Sequence, residues 1–276
     1  MDDEHRLQDP HGYLQRLAAG LHDKLRVERY LLPDATRVLD VGCADGALTL
    51  AMAARHPTAR FLGIDLDAAF VAQAQAHARQ LAMPNVEFRC VYLRELLAEP
   101  ARFDCVVFAS VLHEFWTYGE GISSVLKALA DAHELVGAGG TIVIRDMVLE
   151  SYTQQASWRV SSMHAKALAS PHAVALADFE GHWGPVATVA AINHYLLKYR
   201  YQENWMRELP EHYVPVTSEQ YMELFALLGM RVQTHELYLL PFLRQQWQAD
   251  FGLDEDELAL LRSTALLVAQ RDTGKA

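Results

Sequence analysis

Little in this chain could make a disulfide framework, a metal centre or a membrane anchor. It holds three cysteines in 276 residues, Cys43, Cys90 and Cys105. They show no metal-ligand spacing, and all three fall in or beside apolar runs that read as core strands. An odd number of thiols so placed predicts small core side chains in a reducing cytoplasm. No uninterrupted apolar run reaches the ~18 residues that argue for a membrane span. The opening Met1-Asp2-Asp3-Glu4-His5 is acidic and polar, unlike a secretory signal. The expectation is a cytoplasmic chain with no metal and no membrane partner. Basic charge is scarce too: 24 Lys and Arg stand against 35 Asp and Glu, a net charge of −11. Duplex nucleic acid is bound largely through its phosphates, so such a partner is disfavoured. The modest exceptions are the clusters Arg16, Lys24, Arg26, Arg29 and Lys198, Arg200, Arg207.

About half of the chain, 51%, is apolar, enough for one substantial α/β domain with an appendage. Its most informative stretch runs Arg37-Val38-Leu39-Asp40-Val41-Gly42-Cys43-Ala44-Asp45-Gly46. An apolar strand enters a Gly-rich turn, and an Ala- and Leu-rich helix follows. The glycines let backbone N–H groups approach a ligand closely, and the helix start favours a polar or anionic group. A second strand ends at Asp65, 19 residues after Gly46. Nucleotide-binding α/β folds set a carboxylate on ribose hydroxyls at about this spacing. A nucleoside-containing cofactor is therefore expected. A dinucleotide needs Gly-x-Gly-x-x-Gly to seat its pyrophosphate, and Gly42-x-x-x-Gly46 does not supply it, which disfavours a nicotinamide-linked oxidoreductase.

Hydrophobic periodicity predicts a helix over about 11–32, strands near 37–41, 60–64, 86–91, 103–108 and 141–144, and helices between them. The helix over 122–135 is predicted to stop at Gly137-Ala138-Gly139-Gly140. Alternating strands and helices imply a mainly parallel sheet with its ligand at the carboxyl ends of the strands. From about Val148 to Leu209 the chain turns rich in His, Tyr and Trp and reads as a helical insertion. After Pro215 come a helix over 221–228, a strand over 231–240, a helix over 254–261 and a closing strand over 264–270.

The run from Asp40 to Gly46 resembles motif I of the class I S-adenosylmethionine-dependent methyltransferases, with Ala44 in place of the middle glycine. The resemblance covers roughly Arg37 to Met147 and Thr217 to Arg271. It implies an α/β fold with a seven-stranded, mainly parallel sheet and helices on both faces, plus the helical insertion as a lid. The domains would be 1–147 for the amino-terminal helix and cofactor core, 148–214 for the insertion, and 215–276 for completion of the sheet. It implies S-adenosylmethionine as cofactor, its methionine end passing Asp40, Gly42, Cys43, Ala44, Asp45 and Gly46. Asp65 would hold the ribose, and Leu66, Ala109 and Ser110 would complete the lining. Tyr92 stands where relatives often carry an acid that meets the adenine amino group. Tyr13 and Arg16 would lie on a helix that closes over the cofactor in some relatives.

Methyl transfer asks the protein mainly to align a nucleophile with the methyl carbon and to exclude water. A base is needed only where the nucleophile must lose a proton. His113-Glu114-Phe115-Trp116-Thr117-Tyr118 follows the fourth strand, where this fold faces the methyl group. His113 and Glu114 are the catalytic candidates: His113 to accept a proton, Glu114 to orient it or bind a cationic amine. Phe115, Trp116 and Tyr118 are the substrate walls, since aromatic faces attract cations. A helix-capping His113 and purely structural aromatics are the alternatives. Asp146 either contacts substrate or pairs with Arg145. In the insertion, His164, His172, His182, Trp183, His194, Tyr195, Tyr199 and Tyr201 could line the acceptor pocket, though each singly is better read as structural. The leading function is methylation of a small molecule at O, N or C, as in specialised metabolism. A tRNA or protein methyltransferase and a non-catalytic partner protein of the same fold are the alternatives. An aromatic-rich insertion also suits a homodimer.

Overall fold

The structure, a computed structural model, describes residues 20–32, 36–155 and 157–273. The predicted helix over 11–32 lies partly outside the described residues, as do Tyr13 and Arg16. Two compact units are present. The first, the sheet unit, comprises 20–146, 221–236 and 266–273 of the described chain. The second, the helical unit, comprises 147–220 and 237–265.

The sheet unit opens with one turn of helix, α1 (Leu21–Lys24), continued as 3-10 helix over Leu25–Tyr30. Then come β1 (Arg37–Val41), α2 (Ala47–Arg55), β2 (Arg60–Asp65), α3 (Ala68–Gln80), β3 (Val86–Cys90) and β4 (Phe103–Ala109). A short α4 (Leu112–Thr117), α5 (Ile122–Leu135) and β5 (Val136–Asp146) follow. Each element has a local cause. The side chain of Asp67 caps α3 by accepting from the backbone N–H groups of Ala69 and Phe70 at 2.8 and 3.2 Å. In α5, Val125, Ala128, Leu129, Ala132 and Leu135 recur at helical spacing and are all buried. In β4 almost every residue is buried, as in a strand covered on both faces.

With β6 (Met230–Tyr238) and β7 (Thr264–Arg271), the sheet has seven strands in the order β3-β2-β1-β4-β5-β7-β6. The pairs β1–β2, β1–β4, β2–β3 and β4–β5 are parallel. The chain leaves β1 on one side towards β2 and β3, then returns to its other side as β4. This reversal of strand order opens a crevice at the carboxyl ends of β1 and β4. β5 begins earlier than expected. Gly137 to Gly140 are strand residues, accommodated by a register shift between the pairs Phe103–Val136 and Cys105–Thr141. Gly139, at φ +80°, supplies the left-handed residue that such a bulge uses. The cysteine expectation also needs correction: Cys43 and Cys105 are buried, but Cys90, the last residue of β3, is exposed.

The helical unit contains α6 (Trp158–Leu168), α7 (Ala173–Trp183), α8 (Val189–Lys198) and α9 (Trp205–Glu208). Next come α10 (Ser218–Leu227), which runs on past Gln220, then α11 (Pro241–Phe251) and α12 (Glu255–Leu258). Residues 237–265, which the sequence pattern assigns to completion of the sheet, thus bring α11 and α12 into this unit. Its centre is α8, buried on nearly every side. Phe179, Tyr195, Tyr199, Trp247 and Phe251 pack in the same cluster. Tyr195 and Tyr199 of the insertion are part of this core, Trp183 and Tyr201 pack against it, and of the histidines His194 is buried, His164 and His172 are half-buried and His182 is exposed. His164 meets Glu180 at 3.0 Å, His172 lies against Tyr199, and His182 against Trp183. The indole N–H of Trp183 donates to the Leu209 carbonyl at 2.7 Å. His194 stacks on His212 and accepts from the backbone N–H of Tyr213 at 3.2 Å. Tyr201 stands edge-on to Tyr213.

Lys198 is fully buried at the end of α8. Its ammonium donates to the backbone carbonyls of Glu208 and Glu211 and lies 4.0 Å from the centre of the Tyr213 ring. Burial pulls it well below the usual lysine range, and burial pushes the nearby Glu208 carboxyl up. Among the described residues no helix is long and apolar enough to cross a membrane.

Candidate functional site

The cleft lies in the sheet unit, where β1 ends. The backbone N–H groups of Gly42 and Cys43 both donate to the Ile64 carbonyl, at 2.8 and 3.0 Å, so the turn is tied to the end of β2. Gly42 and Gly46 have φ of +71° and +80°. A β-carbon on Gly42 would stand 2.4 Å from Val111, and one on Gly46 2.6 Å from the Phe88 ring. Both positions therefore need glycine for conformation and for space. Ala44 is left-handed as well, at φ +46°, so alanine replaces the middle glycine while keeping a glycine-like backbone.

Asp65 reaches back into this turn. One of its oxygens accepts from the Ala44 N–H at 2.8 Å and the other from the Asp67 N–H at 2.9 Å. A carboxylate has about four acceptor positions, so the group keeps capacity for ligand hydroxyls. Asp45 accepts from the Ala47 N–H at 3.2 Å and starts α2. Leu66 and Tyr92 are exposed just beyond the paired ends of β2 and β3. Asp40, Gly42, Cys43, Ala44, Asp45 and Ala109, all expected from the sequence, line one cleft, together with Leu21, Lys24, Ala47 and Leu48.

Asp40 is buried and accepts from the Thr49 hydroxyl at 2.6 Å. Burial raises its carboxyl to about 6, opposed by the Thr49 bond and by the charge of Lys24. Lys24 falls to about 8, through burial first and the positive charge of Arg145 second. Burial raises the Cys43 thiol far out of the reactive range. It is a packing residue of the turn, against Leu50, Val71 and Phe88.

Beyond β4, Ser110 takes φ +61° and α4 starts. His113 is buried in the first turn of α4, not a cap before it. Asp146, buried at the end of β5, accepts from the His113 backbone N–H at 3.2 Å and meets its Nδ1 at 2.8 Å. A carboxylate can only accept here, so Nδ1 carries the proton and Nε2 is the basic nitrogen. Asp146 thus orients His113. Arg145 donates twice to one oxygen of Asp23, at 2.6 and 2.9 Å, and once to the Ser110 hydroxyl at 2.7 Å. Glu114, Phe115 and Trp116 are partly buried and Tyr118 is exposed, with Phe115 edge-on to Phe108. Asp23 and Lys24 were not legible as site residues, whereas Arg145 stood out beside Asp146 at the end of the fifth strand. The one signal was an arginine ending an otherwise apolar strand.

A family model described as a methyltransferase domain matches residues 32–224. A ubiquinone biosynthesis O-methyltransferase of Leptothrix cholodnii is 46% identical over 112 residues, 40% of this chain and 44% of that protein. The chain spans less than half the length of the curated relatives it matches. Among solved structures, the [4+2]-cyclase SpnF superposes with a TM-score of 0.58 at 17% identity, over 93% of this chain and 83% of that one. The magnesium protoporphyrin IX methyltransferase ChlM of Synechocystis, with bound SAH, superposes with a TM-score of 0.53 at 13% identity, over 92% and 84%. At these identities the structural likeness establishes the fold.

Proposed function

The chain belongs to the methyltransferase-domain family, and on that premise we propose that it moves a methyl group from S-adenosylmethionine to a hydroxyl of a small molecule. The observation that carries this reading is the meeting of two constellations on neighbouring strand ends. The glycine turn and Asp65 lie at the ends of β1 and β2, and His113 with Asp146 lies beyond β4 and β5. The residues present fit the cofactor. The left-handed turn at Gly42 and Gly46 has no side chain to obstruct a close approach. Asp65 keeps acceptor positions for a ribose diol. Asp40 and Asp45 offer carboxylates to an ammonium group. Leu66 and Tyr92 present exposed apolar faces beside Asp65, suited to a purine.

The cofactor, when bound, supplies a methyl group on a sulfonium, already activated for displacement. The chain's own work is alignment and proton handling. Nε2 of His113 takes the proton of the acceptor hydroxyl as the oxygen attacks, and Asp146 stabilises the imidazolium through Nδ1–H. A hydroxyl is favoured over an amine because a poised base serves a nucleophile that must lose its proton. The O-methyltransferase name of the curated relatives supports the same choice. Glu114 and the aromatic walls Phe115, Trp116 and Tyr118 stand next to that base in sequence and receive the acceptor.

Titration calorimetry with S-adenosylmethionine and S-adenosylhomocysteine on the wild type and Asp65→Ala tests the reading. Micromolar binding that Asp65→Ala weakens at least about tenfold is expected, for the loss of charge-assisted hydrogen bonds. A folded wild type that binds neither compound would overturn it and leave a partner protein of methyltransferase fold.

A further inference from the structure

The turn between β4 and α4 is held at both ends by the last two residues of β5. Neighbouring residues of a strand point to opposite faces. Arg145 reaches Ser110, the first residue after β4, and Asp146 reaches His113 in the first turn of α4. Between these two anchors the chain makes an unfavourable move. Ser110 stands at φ +61°, a left-handed conformation that its β-carbon opposes. Among the described residues only Ala44 and Ala82 also combine a β-carbon with such a backbone. It persists only where the surroundings impose it.

At Ser110 a single residue imposes it twice. The Ser110 N–H donates to the Arg145 carbonyl, and the Ser110 hydroxyl accepts from Nη1 of Arg145, both at 2.7 Å. Arg145 is in turn fixed. It is 6% exposed, its backbone pairs with Ala109 of β4, and its Nε and Nη2 donate to one oxygen of Asp23 at 2.9 and 2.6 Å. That leaves Nη1 for Ser110. A planar guanidinium serves both partners at once, whereas the single nitrogen of a lysine does not match that fork.

The entry matters because α4 does little to place itself. It is six residues long, and Val111 at its start supplies no side-chain cap. The direction in which the chain leaves Ser110 therefore decides where His113 stands against Asp146. We propose that Arg145 is a positioning residue, whose grip on Ser110 keeps the left-handed turn that seats His113 on Asp146. Its bearing on methyl transfer rests on the function proposed above.

Nuclear magnetic resonance of protein carrying isotope-labelled histidine tests this without an acceptor, with His113→Gln to identify the signals. The wild type should hold the His113 ring proton on Nδ1 and a protected His113 amide. Ser110→Ala and Ser110→Gly both remove the hydroxyl, and only alanine keeps a β-carbon. In Ser110→Ala the His113 amide should exchange faster by at least about tenfold, for loss of a charge-assisted bond, and the Nδ1–H signal should be lost. In Ser110→Gly exchange should stay within about threefold of the wild type and the signal should remain, because glycine takes the turn without strain. Arg145→Met should behave as Ser110→Ala does, and adding Ser110→Gly to it should restore the signal. An arginine that only braces α1 through Asp23 would show no such rescue. Equal behaviour of alanine and glycine at 110 would overturn the proposal, and neither variant removes a buried charge, so that comparison stands even where Arg145→Met fails to fold. Binding of S-adenosylhomocysteine, measured on the same wild-type sample, is read separately. Its absence would remove the function proposed above and leave the tautomer result untouched.

Discussion

Asp40 keeps its charge in the cleft against the pull of burial. Its carboxyl sits at about 6 in the folded protein against 3.8 in an ordinary setting. The folded state therefore holds the proton more tightly than the unfolded chain does. Stability falls as pH rises from about 4 through about 6, and stays reduced above that. Asp40→Asn removes the charge and leaves an oxygen for Thr49. The variant should melt above the wild type at pH 8, by up to about 2–3 kcal/mol, with the gap closing as pH falls towards 4. Thermal unfolding at both pH values checks this, and a gap that widened in acid would contradict it. His113 offers a kinetic test. Asp146→Asn would turn an amide towards Nδ1 and favour the wrong tautomer. Methyl transfer should drop by about 10²–10⁴-fold while S-adenosylhomocysteine affinity stays within about twofold. Ala44 offers a test of strain. Its left-handed backbone costs a residue with a β-carbon about 1 kcal/mol. Ala44→Gly should therefore be neutral or stabilising in urea, with cofactor affinity kept, whereas most Ala→Gly changes destabilise.

At the scale of elements, the turn between β1 and α2 tolerates no added bulk at Gly46. A β-carbon there would meet both Phe88 and Ala74 inside van der Waals contact, at φ +80°. Gly46→Ala should cost about 2–3 kcal/mol and abolish cofactor binding, read by denaturant unfolding and calorimetry. In the helical unit, Lys198 ties the end of α8 to two carbonyls of the 208–211 segment. Lys198→Met leaves both carbonyls buried without that donor. Amide hydrogen exchange should quicken across 205–213 ahead of the rest of α8, by at least about tenfold. The elements differ in how legible they were. β1, β2 and α5 could be read because period and punctuation agree within each segment. The stretch 137–140 could not: four small residues look like a helix stop, yet the β4 register stretches them into strand. α4 is six residues with no apolar period of its own, and the bond from His113 to Asp146 depends on β5 lying beside β4. α11 sits in a polar run whose burial depends on Trp247 reaching α8, where its indole donates to the Leu196 carbonyl.

For the whole molecule, ligand linkage gives the simplest reading. S-adenosylhomocysteine at about 100 times its dissociation constant adds about 2.7 kcal/mol to the state that binds it. For a unit of this size that is roughly 5–10 °C in Tm. Protection from exchange should rise at 42–48 and 109–113 in the sheet unit. Protection confined to the helical unit would contradict the placement of the cofactor. The strand order has a consequence during synthesis. β5 is an interior strand whose outer neighbour is β7. Roughly 120 residues separate the end of β5 from the start of β7. A ribosome adding ~5–20 residues per second leaves that edge unpaired for roughly 6–24 s. Through that interval the nascent chain presents an apolar strand edge, Thr141 to Ile144, open to any other extended chain. Holdase chaperones that shield such edges should therefore raise the soluble yield of this protein more than slower unfolding of its finished form would.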